Sequence, residues 1–176
     1  MHGVMNMSLR MVLAGSLLLS AAGASAAGAF GGKLPQVLCG YMDDLGIPGS
    51  MDYRDQGNSL WACDSSRKKL PQGEPASVSD LQYRVLGSEN QARKQVLELR
   101  MRSYRQPQGV LKVFSRYVDV LLKKTLGARL PDDMYRAIMA PRDGEWQLKG
   151  HVAALRKLRS KGSVYDLKFT LAPVSP

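Results

Sequence analysis

The stretch LQYRVLGSENQARKQVLELRM, residues 81–101, decides the fold. Apolar and polar side chains alternate in both of its halves, and a period of two is typical of a β-strand with one buried face. Polar residues 87–93 separate the halves, so the stretch is predicted to form an antiparallel hairpin. The apolar side chains expected on its buried face are Leu81, Tyr83, Val85, Leu97, Leu99 and Met101.

Two helices are predicted after this hairpin, because the apolar spacing changes there from two to between three and four. A broad apolar stripe over 110–122, stopped by Gly127, predicts one long helix. A shorter helix is predicted over 131–141, where two aspartates lie in the first turn, next to the positive end of the helix dipole.

Apolar and polar residues alternate again toward the C-terminus. Residues 146–158 predict a long strand with a bulge at Gly150, although 151–158 also fits a helix. Lys161-Gly162 predicts the hairpin turn into a last strand. The C-terminal part of the chain is therefore predicted to add two strands to the sheet.

The N-terminal side supplies a helix and one further strand. The helix is predicted from Pro35 to about Asp44, the strand over 57–63, and a polar loop over 64–77. The predicted order is thus α-β-β-β-α-α-β-β, which is typical of the α+β class. We expect a single antiparallel sheet of about five strands, packed on one face by the long helix and open on the other.

The first 26 residues predict an export signal that is removed. Arg10 precedes an apolar run over 11–19, and Ala24-Ser25-Ala26 supplies the small-residue cleavage site. The run is shorter than the ~20 residues that cross a bilayer, so no transmembrane segment is expected in the mature protein. The predicted division is a signal peptide over 1–26, a flexible linker over 27–33 and a single α+β domain over 34–173, located in a bacterial periplasm.

The two cysteines predict one structural disulfide. Cys39 and Cys63 are the only cysteines of the 176 residues, and an oxidising compartment favours their pairing. A redox pair has closer Cys-x-x-Cys spacing. A zinc site needs further soft ligands, and His151 is the only histidine after the signal.

The sequence predicts no catalytic, cofactor or metal site. No nucleophile motif, phosphate loop or dinucleotide fingerprint occurs, and His151 alone does not make a triad. The acidic pairs Asp43-Asp44 and Asp132-Asp133 are adjacent on predicted helices and point in different directions. Asp143 with Glu145 is a third pair of carboxylates, so a small hydrolase is the third hypothesis.

The remaining feature of the sequence that points to a function is a basic surface. The chain has 25 Lys and Arg against 15 Asp and Glu, a formal net charge of +10. Such a surface attracts an acidic protein, or an anionic lipid or glycan of the envelope. The compartment and the absence of known motifs exclude nucleic acid. The candidate partner-binding residues are Arg84, Arg100, Arg102, Arg105, Arg156, Lys157 and Arg159.

Two alternatives stand beside this interpretation of the charges. The loops over 64–77 and 141–145 are a second candidate interface, and the arginines could instead form a solvated face, paired with Glu89, Glu98 or Asp166. The leading hypothesis is an exported protein-binding module: an inhibitor or immunity-type protein, or an accessory subunit of an envelope or secretion system. The second is a periplasmic binder of anionic lipid or glycan through the basic sheet face.

Overall fold

A computed structural model describes residues 29–48, 52–70, 78–102, 107–161 and 164–174. The predicted hairpin is present: strands β4 (Asp80–Ser88) and β5 (Gln91–Met101) pair antiparallel. Ser88 lies opposite Gln91, so a two-residue turn joins them. Burial alternates along β4, with Leu81, Tyr83 and Val85 at most 1 % exposed, as a strand with one covered face requires.

This hairpin lies in the middle of one antiparallel sheet of eight strands. On the β5 side the order continues to β8, β7 and β6, and on the β4 side to β2 and β1, while β3 pairs with the first residues of β4. The remaining strands are β1 (Arg54–Asp55), β2 (Trp61–Asp64), β3 (Lys68–Lys69), β6 (Gly144–Leu148), β7 (His151–Lys161) and β8 (Val164–Pro173).

The helices pack on one face of this sheet, which we call the inner face. They are α1 (Pro35–Cys39), α2 (Pro107–Leu126) and α3 (Asp132–Met139). The apolar stripe of α2 is buried against the inner face in one continuous core. Gly127 ends α2 with a φ of 59°, a left-handed conformation that glycine adopts without steric cost.

The sheet has eight strands where about five were predicted. Two of the additional strands, β1 and β3, have only two residues each and leave almost no periodicity to detect. The third additional strand arises because the segment 146–158, predicted as one strand, is a hairpin formed by β6 and β7. Lys149 and Gly150 have φ values of 47° and 75°, so Gly150 belongs to a tight turn and is not a bulge.

Other boundaries also differ from the prediction. The first helix changes at Gly40 to a 3-10 turn, Gly40–Leu45, which ends at Gly46 with a φ of 68°. The predicted strand over 57–63 begins only at Trp61, because Asn58 and Ser59 have positive φ values and form a turn. The residues 151–158, for which a helix was the alternative, are extended in β7.

The N-terminal segment contributes to the core. Ala29–Gly32 forms a turn within the segment predicted as a linker, and Phe30 is 2 % exposed. Its ring stacks on His151, with 5.3 Å between ring centroids. The predicted signal peptide and Gly162 of the predicted Lys161-Gly162 turn lie outside the described residues.

The predicted disulfide is present between Cys39 and Cys63, whose Cα atoms are 6.1 Å apart. It joins the end of α1 to the middle of β2, and both cysteines are buried. The bridge therefore ties the N-terminal helix to β2, which pairs with β4.

Candidate partner-binding face

The face of the sheet opposite the helices is called the outer face here. Its side chains are those that alternate with the buried ones along the strands, and most of them are half-buried or exposed. The residues that define it are Lys69, Asp80, Gln82, Arg84, Val96, Glu98, Arg100, Arg102, Ala154, Arg156, Asp166, Lys168 and Thr170.

Charges of opposite sign face each other at several positions across the strands of this face. The register places Lys69 opposite Asp80, Asp80 opposite Arg100, and Arg100 opposite Asp166. The next row places Glu98 opposite Lys168, and Lys168 opposite Arg156, which is a pair of like charge. Opposite charges in directly facing positions stabilise a sheet, whereas like charges destabilise it. The outer face is therefore a mosaic of both signs rather than a uniformly basic surface.

Arg67 connects two rows of this mosaic. Its guanidinium donates a hydrogen bond from Nη1 to Asp80 Oδ1 and another from Nη2 to Glu98 Oε1, both at 2.8 Å. Partial burial opposes the charge on Glu98, but the hydrogen bond from Arg67 and the nearby arginine charges outweigh burial and lower the pKa of Glu98. Partial burial likewise opposes the charge on Arg67, but Glu98 and Asp80 raise its pKa overall.

Four of the seven candidate partner-binding residues are paired with a carboxylate. Arg84 pairs with Asp64, Arg100 Nε lies 3.8 Å from Glu98, and Arg102 Nη1 lies 3.4 Å from Asp166. Arg156 donates to Glu145 at 3.1 Å. Two of the carboxylates, Glu98 and Asp166, are among those considered as partners from the sequence.

Of the other three candidates, only the side chain of Lys157 lies within the described residues. Lys157 shares the strand face of Leu167, on the inner side, and its ammonium group lies 4.7 Å from the centroid of the Tyr165 ring. Arg105 lies outside the described residues, and so does the side chain of Arg159. The predicted cluster at the second hairpin is thus divided between the two faces, since neighbouring residues of a strand point in opposite directions.

Three small, uncharged side chains occupy the centre of the outer face. Val96, Thr170 and Ala154 face one another across β5, β8 and β7, between the pair Asp64–Arg84 on one side and Glu145 on the other. Val96 is 1 % exposed. The Val96 side chain is therefore covered by its neighbours, and the half-buried side chains of Thr170 and Ala154 are the part of this centre that a partner can reach.

The residues considered for catalysis have structural contacts. His151 Nδ1 lies 3.0 Å from the Lys149 carbonyl, and Asp133 accepts a hydrogen bond from the Trp146 indole at 2.7 Å. Asp143 accepts from the backbone N–H of Lys157 at 2.7 Å. Across the described ranges, no group of three or more His, Cys, Asp or Glu side chains could hold a metal ion.

A shallow groove lies on the helical side of the molecule, with a volume of about 330 Å³. Its walls are Leu45 and residues of α2: Val113, Arg116, Tyr117 and Val120. Among the described residues of this lining there is no carboxylate and no histidine. None of the helices in the described part of the chain has the length and apolar character needed to span a bilayer.

Neither a protein-family model, nor a curated protein, nor a solved structure matches this chain. The fold and the face therefore define a class only: a disulfide-linked α+β protein with helices on one face of an antiparallel sheet and a charged mosaic on the other.

Sequence reasoning missed Arg67 and the acidic half of the mosaic, chiefly Asp64 and Asp80. Arg67 was placed in the loop 64–77, but the short strand β3 follows it and brings its side chain to Glu98. The signal that could have identified Asp80 is its opposite parity to Leu81 in the strand, which places it on the outer face.

Proposed function

We propose that this protein is an exported, periplasmic protein-binding module whose outer face docks on a protein partner. The classes that fit are an inhibitor or immunity-type protein, or an accessory subunit of an envelope or secretion system. Export rests on the N-terminal sequence, with its Arg10, apolar run and Ala24-Ser25-Ala26 site. The Cys39–Cys63 bridge is compatible with an oxidising compartment.

The observation that carries the proposal is the ordered mosaic of the outer face. Arg67 is held by two carboxylates at 2.8 Å, and the side chains of Arg67, Asp80 and Glu98 are 25, 21 and 20 % exposed. Side chains fixed before association lose less entropy on binding. A fixed pattern of both signs also selects a partner with the complementary pattern, which a second protein can supply.

The same mosaic argues against the anionic lipid or glycan hypothesis. Arg84, Arg100, Arg102 and Arg156 each have a carboxylate neighbour at 3.8 Å or less. A phosphate or sugar acid would have to compete with those carboxylates at every one of the four positions. A protein partner instead engages acids and bases together, and can also contact the half-buried side chains of Thr170 and Ala154.

Affinity capture from the envelope tests the proposal. The mature, oxidised protein (27–176) is immobilised and exposed to its own envelope extract at low and at high salt. We expect one protein to be retained in a defined ratio at both, because the packed contacts of a protein interface resist screening by salt better than ion pairs alone. Retention of lipid or glycan alone, released by salt, would overturn the protein-binding proposal.

A further inference from the structure

The sheet ends at β6, which pairs with β7 and has no other strand partner within the described residues. An edge strand presents unpaired backbone N–H and C=O groups, which another strand can use. At the opposite end of the sheet, β1 has only two residues, Arg54 and Asp55. The five residues of β6, Gly144–Leu148, therefore form the longer free edge.

The turn between β6 and β7 fixes the hydrogen-bonding pattern of this edge. Lys149 and Gly150 form a two-residue turn with φ values of 47° and 75°, which is typical of type I′. In such a hairpin the flanking residues, Leu148 and His151, exchange both of their backbone hydrogen bonds.

Hydrogen-bonded and non-hydrogen-bonded pairs alternate along a hairpin, so the Leu148–His151 pair determines which backbone groups of β6 point away from the sheet. Trp146 directs its N–H and C=O toward β7, whereas Glu145 and Gln147 direct theirs outward. No backbone partner of these four outward groups occurs in the described part of the chain. Both residues are exposed, so the edge is open to a second strand.

The sequence of β6 selects one register for pairing with a second copy of itself. A two-fold axis at Glu145 would place two glutamates directly opposite each other, which is unfavourable. An axis at Gln147 would extend the pair into the Lys149-Gly150 turn. An axis at Trp146 places Glu145 opposite Gln147 of the second copy and uses all the outward groups, with four hydrogen bonds.

The side chains of β6 would also make favourable contacts in the Trp146-centred register. The two Trp146 residues would form a non-hydrogen-bonded pair, in which side chains lie closest and aromatic contacts are favourable. The indole is already fixed by its hydrogen bond to Asp133 at 2.7 Å. It also lies over Gly144, where a Cβ would meet the ring at 2.3 Å.

We propose that two copies of this chain associate edge to edge through β6, antiparallel and centred on Trp146, to form one continuous sheet. The two outer faces would then lie side by side, which would present two docking surfaces to a repeated partner. The association itself does not depend on the function proposed above.

Sedimentation equilibrium of the mature, oxidised protein tests this pairing. We expect a monomer–dimer equilibrium that reaches dimer by about 1 mM, weak because the edge is short. Gln147→Pro removes an outward N–H that β7 does not use, so two of the four hydrogen bonds are lost and association weakens roughly tenfold or more. Gln147→Ala, which keeps the N–H, is the control and retains the dimer.

A cross-linking experiment tests the register. Glu145→Cys and Gln147→Cys variants are mixed and treated with a short bismaleimide. We expect the mixture to give a heterodimer far more readily than either variant alone gives a homodimer. A wild-type protein that stays monomeric at about 1 mM overturns the proposal. A dimer that is indifferent to Gln147→Pro, or equal cross-linking in all three samples, also overturns it.

Discussion

The two faces of the sheet are held by different interactions. The inner face is mostly apolar and its centre is covered: Leu97, Phe169 and Phe114 of α2 are all 0 % exposed. The outer face is held by ion pairs among side chains that remain 20–58 % exposed. Burial of apolar surface stabilises a fold far more than partly exposed ion pairs do. The inner face therefore specifies the fold, and the outer face is free to specify a partner.

One polar network interrupts the apolar inner face. The Tyr83 hydroxyl lies 2.9 Å from the Leu38 carbonyl and 3.0 Å from Gln95 Oε1, which Thr125 Oγ1 also contacts at 3.1 Å. These contacts connect α1, β4, β5 and α2. Burial raises the pKa of Tyr83 well above its ordinary value, so its hydroxyl stays protonated and able to donate.

The largest difference between the faces is expected from truncating a core side chain. Phe114→Ala leaves a cavity under the inner face and should lower the free energy of unfolding by about 3–5 kcal/mol. Thr170→Ala on the outer face should change it by less than about 1 kcal/mol. Urea unfolding of both variants measures the contrast. Equal losses would show that the outer face carries as much of the stability as the core.

The disulfide contributes the next largest effect, again on the inner side. Replacing both Cys39 and Cys63 by Ala should lower the free energy of unfolding by about 3.5 kcal/mol, from the entropy of closing a 25-residue loop. Cys63 is also a core residue, so the substitution removes packing as well as the bridge. The oxidised and the reduced wild type should therefore both be compared with the variant. A stability that is the same in all three would contradict a structural role.

A smaller effect is expected from the centre of the outer mosaic. Glu98→Gln leaves Arg67 with one carboxylate instead of two and should lower the free energy of unfolding by about 1 kcal/mol. Glu89→Gln, at an exposed position of the turn between β4 and β5, is the control and should have no measurable effect. Equal effects of the two substitutions would show that the mosaic is not a connected network.

The pH dependence of the Glu98→Gln effect sharpens this prediction. The pKa of Glu98 is lowered from its ordinary value of 4.5, so its contribution is complete above that pH and is lost as the pH falls through the folded-state pKa. The stability difference between wild type and variant should therefore be constant near neutral pH and disappear on acidification below 4.5. A difference that persists at low pH would mean that packing rather than charge is responsible.

The inner face was predictable from the sequence because its signal is local. The alternation of Leu81, Tyr83 and Val85 and the stripe of α2 follow from the periods of the strand and the helix. The two-residue strands were not predictable, since their only signal is pairing with a distant segment. The Lys149-Gly150 turn was missed because a non-glycine residue with positive φ is uncommon, which made a bulge the simpler interpretation.

The outer face was predictable only in part. The sequence identifies Arg84, Arg100 and Arg102 as outward-facing, because parity within one strand decides that. It does not identify their partners, because Asp64 and Asp166 come from strands whose register depends on the whole sheet. A count of basic residues on a face therefore overestimated its charge.

The most direct test of the outer face compares two charge reversals of equal size. Arg100→Glu with Arg102→Glu changes the outer face, and Lys112→Glu with Arg116→Glu makes the same charge change on the exposed side of α2. Both are immobilised beside the wild type, after thermal melting has shown that they fold, and binding kinetics are measured with the captured envelope protein. We predict that the outer-face variant slows association at least about tenfold while the α2 variant binds like the wild type. Equal kinetics for all three proteins would contradict the assignment of the outer face as the docking surface.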